Sequence, residues 1–415
     1  MNFKDLIENA KNQVSDCTRY SVDSIDYICK EIGPRPCGDE NEKKAQEYMM
    51  DSLKEYSDSV SRETYEAHPE AFMSFVPVAG ALTTGAAVCN LIGTLKNKKL
   101  PSAAALGLTG AAIGSIIGEF VLYKEVLDPF FKKKESGNVI AVRKAKGETK
   151  RRIIIAGHTD SAPEWTYTYK LGSHGSMLVG GTAIGGLLYT TATTAAMLLS
   201  KNKKTAKMLS LSQLAFLPAY ALLYKFTNHK KYVPGAVDNL TGCYVAASVL
   251  KFLDENDIRF ENTEVIAAMV GGEEAGLRGS KAFFKAHPEF DGSDGVETVF
   301  MSFDTLRDAE FMTIYNKDMS GTVNNDARAC ALMQNAAKKI GLDVPFGTVP
   351  LGATDAAAAS QAGVPAASFV AMDPSPARYY HTRIDDADIL IPEVIEQSIE
   401  LALQTVFDFD ENGLN

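Results

Sequence analysis

Three stretches of this chain end on residues suited to holding a metal. Residues 151–156 lead into Gly157-His158-Thr159-Asp160, residues 264–270 into Gly271-Gly272-Glu273-Glu274, and residues 296–303 into Asp304. Imidazole and carboxylate together make an N/O donor set that binds zinc, and a hydrolytic site of this kind keeps one position open for water. In His158-Thr159-Asp160 the aspartate can fold back onto the second imidazole nitrogen and fix the tautomer of the ligand. Glu273 and Glu274 would point to opposite sides of an extended chain. At a strand-to-helix turn, one can ligate while its neighbour addresses the bound water, and Gly271, Gly272 and Gly276 permit that turn. Two more pieces carry the same chemistry. Residues 234–242 form a turn into a helix with Asp238 at its entry, and Tyr379-Tyr380-His381-Thr382-Arg383-Ile384-Asp385 precedes the last helix.

Residues so far apart meet only if a sheet gathers them. Apolar strand patterns at 138–142, 152–156, 264–270, 296–303 and 366–371 alternate with helical patterns at 240–253, 278–286, 324–340 and 392–409. This alternation predicts an α/β three-layer sandwich with a mostly parallel, mixed central sheet. Ligands bind beyond the carboxyl ends of the strands in such sheets, so His158, Glu273-Glu274 and Asp304 arrive at one rim. The first 68 residues read as charged helices that end in a β-like run at 60–65.

A second texture interrupts this pattern. Residues 74–95 and 101–123 are apolar and joined by Lys96-Asn97-Lys98-Lys99; residues 177–199 and 207–226 are alike and joined by Lys201-Asn202-Lys203-Lys204. Each is close to the ~20 residues that cross a bilayer. Gly110, Gly114 and Gly118, and likewise Gly181 and Gly185, recur at helical spacing, which suits close helix packing in lipid. The expectation is two helical hairpins, at 69–136 and 166–233, inserted into a domain built from 1–68, 137–165 and 234–415. Membrane embedding is the leading reading, and a soluble lid or dimer interface is its alternative. Lysines stand at the tips and at the bases of both hairpins, so charge bias sets no orientation.

Composition narrows the classes. In 415 residues, hydrophobic residues make up 46% and charged residues 23%, as in folded chains with a sizeable core. A net charge of −10 argues against a nucleic-acid binder working through a basic surface. The six cysteines form no CxxC pair, which argues against a thiolate zinc site and a disulfide-stapled module. The N-terminal stretch MNFKDLIENAKNQVSD has no apolar core, so a cleaved signal peptide is not expected. The expected location is a membrane with the catalytic domain in the cytoplasm, or else the cytoplasm alone.

The order HTD, GAVDNLTG, GGEEAGLRGS, SFD and YHTRID, together with Ile32-Gly33-Pro34-Arg35-Pro36, resembles the M28-type di-zinc metallopeptidases, an aminopeptidase family. The likeness spans everything outside the apolar hairpins. It implies two Zn2+ ions bridged by Asp238, with His158 and Asp304 completing one site and Glu274 and His381 the other. It further implies Glu273 as the general base, Asp160 as the orienter of His158, a cis peptide at Asp238–Asn239, and small peptides as substrates. Tyr379 or Tyr380 could add a hydrogen bond to the reacting centre, and Asp385 stands as a partner of His381 or as a turn residue.

The chain departs from that family in its two insertions and in Thr354-Asp355-Ala356, where the family commonly has Ser-Asp-His. A carboxypeptidase or an amide deacylase would use the same site. Glutaminyl cyclases, with one metal, fit the five-ligand set less well. Outside enzymes, a non-catalytic membrane-associated binding protein on the same fold is the competing reading; retention of all five ligands and the base argues against it. A transporter is disfavoured because charged residues do not line more than one apolar segment.

Overall fold

Along the strand Arg151–His158, Ile153 and Ile155 enter one hydrophobic cluster, while Ile154, equally buried, turns to the other face. The same alternation places Val265, Ala267 and Met269 of Thr263–Val270 in that cluster. Strands apolar on both faces belong inside a sandwich. The computed structural model describes residues 3–375 and 377–414, and the chain divides into two units. The first comprises Met1–Pro69, Lys133–Ala162 and Tyr232–Asn415, and the second comprises Glu70–Lys132 and Pro163–Lys231.

The first unit holds strands β1 (Ser59–Ala67), β2 (Lys134–Arg143), β3 (Arg151–His158), β4 (Thr263–Val270), β5 (Glu297–Leu306), β6 (Met312–Asp318), β7 (Phe346–Thr348) and β8 (Ala366–Ala371). Their spatial order is β1-β2-β4-β3-β5-β8-β6-β7, with Val323–Asn324 beside β6. The central run β4-β3-β5-β8 is parallel, whereas β1, β2 and β6 pair antiparallel to their inner neighbours. Helices α1 (Phe3–Tyr27), α2 (Glu40–Leu53), α3 (Thr241–Glu255), α4 (Arg278–Ala286), α5 (Ala327–Lys339), α6 (Asp355–Gln361) and α7 (Pro392–Asn412) complete it. α1, α3 and α7 pack together around the large cluster on one face, and α4 and α6 pack against each other on the opposite one. There Phe284 of α4 meets Phe300 of β5 edge-on, with ring centroids 5.2 Å apart. The α/β sandwich with its mixed central sheet is therefore present.

Two local features differ from the pattern read in the sequence. The helix expected from residue 324 begins at Ala327, because Asp326 accepts the N–H groups of Arg328 and Ala329 as an N-cap. β6 carries polar Asn316 and Lys317 among its apolar residues, and this masked it as a strand.

The second unit contains the apolar segments as helices Phe75–Leu95, Leu100–Ile116, Gly175–Leu199 and Lys203–Gln213. The last segment does not continue as one α-helix. A 3-10 turn at Leu214–Phe216 leads into Leu217–Leu223, with Pro218 in its first turn, where the missing N–H costs least. Four spans, Phe72–Leu95, Leu100–Val121, Gly175–Leu199 and Lys203–Leu223, are long and apolar enough to cross a membrane. Inside this bundle Asn90 donates to Thr194 at 2.6 Å and to Gln213 at 3.0 Å, and Gln213 donates to Thr193 at 2.8 Å.

Candidate metal centre

His158 is the last residue of β3, and Gly157 before it has no room for a side chain. A Cβ there would lie 2.4 Å from the Gly242–Cys243 backbone, so α3 starts directly against the strand end. The turn that opens α3 carries Asp238, joined to Asn239 by a cis peptide. Asn239 donates to the Phe303 carbonyl at 2.9 Å and accepts from Gly242 N at 3.0 Å, fastening this turn to β5 one residue before Asp304. β4 ends at Val270; Gly271 and Gly272 follow it, and Gly272 takes φ +62° to lead into Glu273 and Glu274.

These elements bring His158, Asp238 and Glu274 together, with donor atoms all within 4.8 Å of one another. Asp238 presents its two oxygens to different imidazoles: Oδ1 lies 3.1 Å from His158 Nε2, and Oδ2 lies 3.2 Å from His381 Nε2. Glu274 Oε1 is 3.1 Å from the same His381 nitrogen. Glu273 Oε2 stands 3.8 Å from His158 Nε2, outside the group of close donors. Asp304 is buried at the same rim and receives Thr305 Oγ1 at 2.7 Å, but it does not join that group either.

The donor set suits a cation. Asp238 Oδ2 and Glu274 Oε1 are buried, and both face the single nitrogen His381 Nε2, at 3.2 and 3.1 Å. Two buried carboxylate oxygens sharing one imidazole N–H leave acceptor capacity that a cation would fill. Burial alone would raise the Asp238 carboxyl, yet the two imidazoles hold it below the ordinary range. Burial raises the Glu273 carboxyl well above 4.5, helped by the charges of Glu274, Asp355 and Asp304. Burial likewise pushes Asp304 up to about 7, with Asp238 adding to the rise.

Asp160 does more than face His158. The nearest partner of His158 Nδ1 is the Asp160 backbone carbonyl at 3.2 Å, with the carboxylate at 3.5 Å. That carboxylate accepts Glu273 N at 3.0 Å and Glu274 N at 3.2 Å. Tyr379 is engaged elsewhere, donating to Asp308 at 2.9 Å. Tyr380 stacks on His381, with centroids 3.9 Å apart. The Asp385 carboxylate accepts Val237 N at 2.7 Å and Asp238 N at 3.1 Å, so it supports the Asp238 turn.

Arg35 lies within Gly33-Pro34-Arg35-Pro36, a stretch whose residue types give it no role in metal chemistry. Fully buried, it donates to the carbonyls of Thr159 at 2.8 Å, Pro234 at 2.6 Å and Gly235 at 2.9 Å, tying the His158 loop to the Asp238 turn. An arginine between two prolines and rigid turns was the available signal.

Residues 225–406 match the family model described as Peptidase family M28. Among curated proteins, none matches the sequence significantly. The fold is similar to that of a zinc aminopeptidase from Bacillus subtilis, at 15% identity over 94% of each chain with a TM-score of 0.55. It is also similar to an aminopeptidase from Aneurinibacillus sp. strain AM-1, at 15% identity over 95% of each chain and a TM-score of 0.56. A glutaminyl cyclase from Fimbriiglobus ruber is similar at 13% identity, covering 94% of this chain and 95% of its own, with a TM-score of 0.54.

Proposed function

We propose that this protein is a zinc-dependent exopeptidase, an aminopeptidase acting on small peptides, held in a membrane by its two apolar hairpins. The observation that carries the reading is Asp238 standing between two imidazoles, with buried oxygens of Asp238 and Glu274 both turned to the one nitrogen His381 Nε2. His158, Asp238, Glu274 and His381 would hold the metal, with Asp304 joining on the His158 side if two ions bind. Bound there, zinc supplies Lewis acidity and makes water a nucleophile near neutral pH.

The remaining work falls to the chain. Glu273 takes the proton of the attacking water and returns it to the leaving amine, so that the amide C–N bond breaks as the new C–O bond forms. What supports Glu273 in this role is its position 3.8 Å from His158, beside the donor group but outside it. Asp160 fixes the backbone of the Glu273-Glu274 turn, and Tyr380 covers the His381 ring.

Embedding is supported by exposed apolar surface: no more than 39% of any span is buried, and Leu95, Leu100, Leu178 and Leu199 stand open. A patch this extended calls for a lipid or protein cover. A one-metal site is the second reading, favoured by the single group of mutually close donors among the described residues. Metal stoichiometry together with aminoacyl-arylamide hydrolysis decides between them. Two zinc ions per chain and chelator-sensitive turnover of substrates with a free amino group are expected. Turnover unaffected by chelation overturns the metallopeptidase reading, and full activity at one zinc per chain selects the one-metal site.

A further inference from the structure

The two Lys-Asn-Lys-Lys turns meet at one end of the second unit, and we propose that they build a binding site for the headgroup of an anionic phospholipid. Lys98 and Lys99 from one tip and Lys201 and Lys203 from the other line a single recess of about 340 Å³, together with Gly93 and Ser102. The two tips are fastened together by Lys99 Nζ donating to the Leu198 carbonyl at 2.7 Å and by Thr94 Oγ1 with Ser210 Oγ at 3.1 Å. The recess is therefore part of the packed bundle rather than a chance approach of two loops.

The stretches that build the recess carry no acid. Residues 71–118 and 165–237 contain neither aspartate nor glutamate, the acids of the unit (Glu70, Glu119, Glu125, Asp128 and Glu164) falling outside them, while Lys98, Lys99, Lys201 and Lys203 line the recess. Among the described residues, none of Lys98, Lys201 and Lys203 forms an ion pair, so their exposed ammonium groups are open to an external anion. The Leu100–Ile116 helix starts at the recess without a side-chain cap, and its N-terminal N–H groups add to the positive field. Ammonium groups with free N–H donors are the chemistry that holds a phosphate.

The inference rests on the embedding reading, and that reading is what makes the phosphate a lipid's. A helix of 21 residues, as in Phe75–Leu95, is about 32 Å long, close to the thickness of the hydrocarbon core. Its lysine tip then emerges at the headgroup layer, where basic pockets between spans meet anionic lipid.

The test uses the full chain in detergent and native mass spectrometry, with phosphatidylglycerol or phosphatidylcholine of the same acyl chains added. Wild type is expected to retain phosphatidylglycerol about tenfold over phosphatidylcholine. The variant Lys98→Ala/Lys201→Ala/Lys203→Ala should fall to the phosphatidylcholine level, while Lys96→Ala/Lys204→Ala/Lys207→Ala, which removes the same charge outside the recess, should keep the preference. Equal retention of both lipids by wild type, or equal loss in both variants, overturns the site. Displacement of the lipid by millimolar inorganic phosphate also overturns it, because the recess would then be a site for free phosphate. A carbonate wash separates the two readings. Recovery of wild type in the aqueous phase without detergent sinks the embedding and the lipid site together, whereas an embedded chain with no lipid preference sinks the site alone.

Discussion

Asp160 accepts the backbone N–H of Glu273 at 3.0 Å with one carboxylate oxygen, while its other oxygen takes the N–H of Glu274 at 3.2 Å. One side chain at the end of β3 thus sets the backbone of the turn after β4 while its own carbonyl faces the His158 ring. Partners of this kind commonly change metal affinity or activity 10–100-fold when altered. Asp160→Asn keeps a single acceptor oxygen for two donors. It should lower zinc affinity and kcat/KM by about 10–100-fold, as measured by competitive chelation and arylamide hydrolysis. Unchanged affinity together with unchanged turnover would refute the positioning role.

Glu273 is the residue whose loss should separate binding from chemistry. Glu273→Gln preserves shape but cannot carry the proton, and turnover should fall by about 10²–10⁴. Zinc content, measured by elemental analysis, should match wild type because the close donors are His158, Asp238 and Glu274. A mutant that hydrolyses as fast as wild type removes Glu273 from the reaction.

Arg35 anchors two loops through carbonyls that are more than a hundred residues away. Arg35→Ala leaves those buried carbonyls without donors, each costing about 1–3 kcal/mol. The expected result is a loss of several degrees in Tm, together with weakened zinc binding, because the His158 and Asp238 loops part. Arg35→Lys should not restore wild-type stability, since one ammonium cannot reproduce the planar fork. Full rescue by lysine would argue that charge alone matters there.

His287 and Glu63 supply a pH dependence away from the metal site. His287 Nε2 lies 2.9 Å from Glu63 Oε1, and this bond raises the imidazole above its ordinary 6.5, against the pull of partial burial. With the folded pKa above the unfolded one, the stabilisation is complete below about pH 6.5 and disappears as pH rises through the folded value. The Tm gap between wild type and His287→Gln should therefore be widest at pH 6 and close by pH 9. The pair is partly exposed, so the gap corresponds to no more than ~1 kcal/mol. A gap that widens with pH would contradict this account.

Much of the site was legible in the chain because the rule that gathers it is simple. Near-continuous apolar runs leading into His158, Glu273-Glu274 and Asp304 mark buried strands, and parallel strands deliver their carboxyl ends to one rim. The four apolar segments were equally plain, since their length and low charge are local properties.

Other features belong to the tertiary structure alone. The partners of Arg35, Asp160 and Asp385 are backbone groups, and any residue carries a backbone carbonyl or, proline apart, an N–H. No residue type therefore announces that Thr159 or Glu273 will be the one met. The recurrence of Lys-Asn-Lys-Lys could be read, but not its convergence into one recess, which depends on how four helices pack. Residue identity determined which chemistry was available; only the packing of distant loops decided which groups would share a space, because the free energy of those contacts exists only once the sheet and bundle have formed.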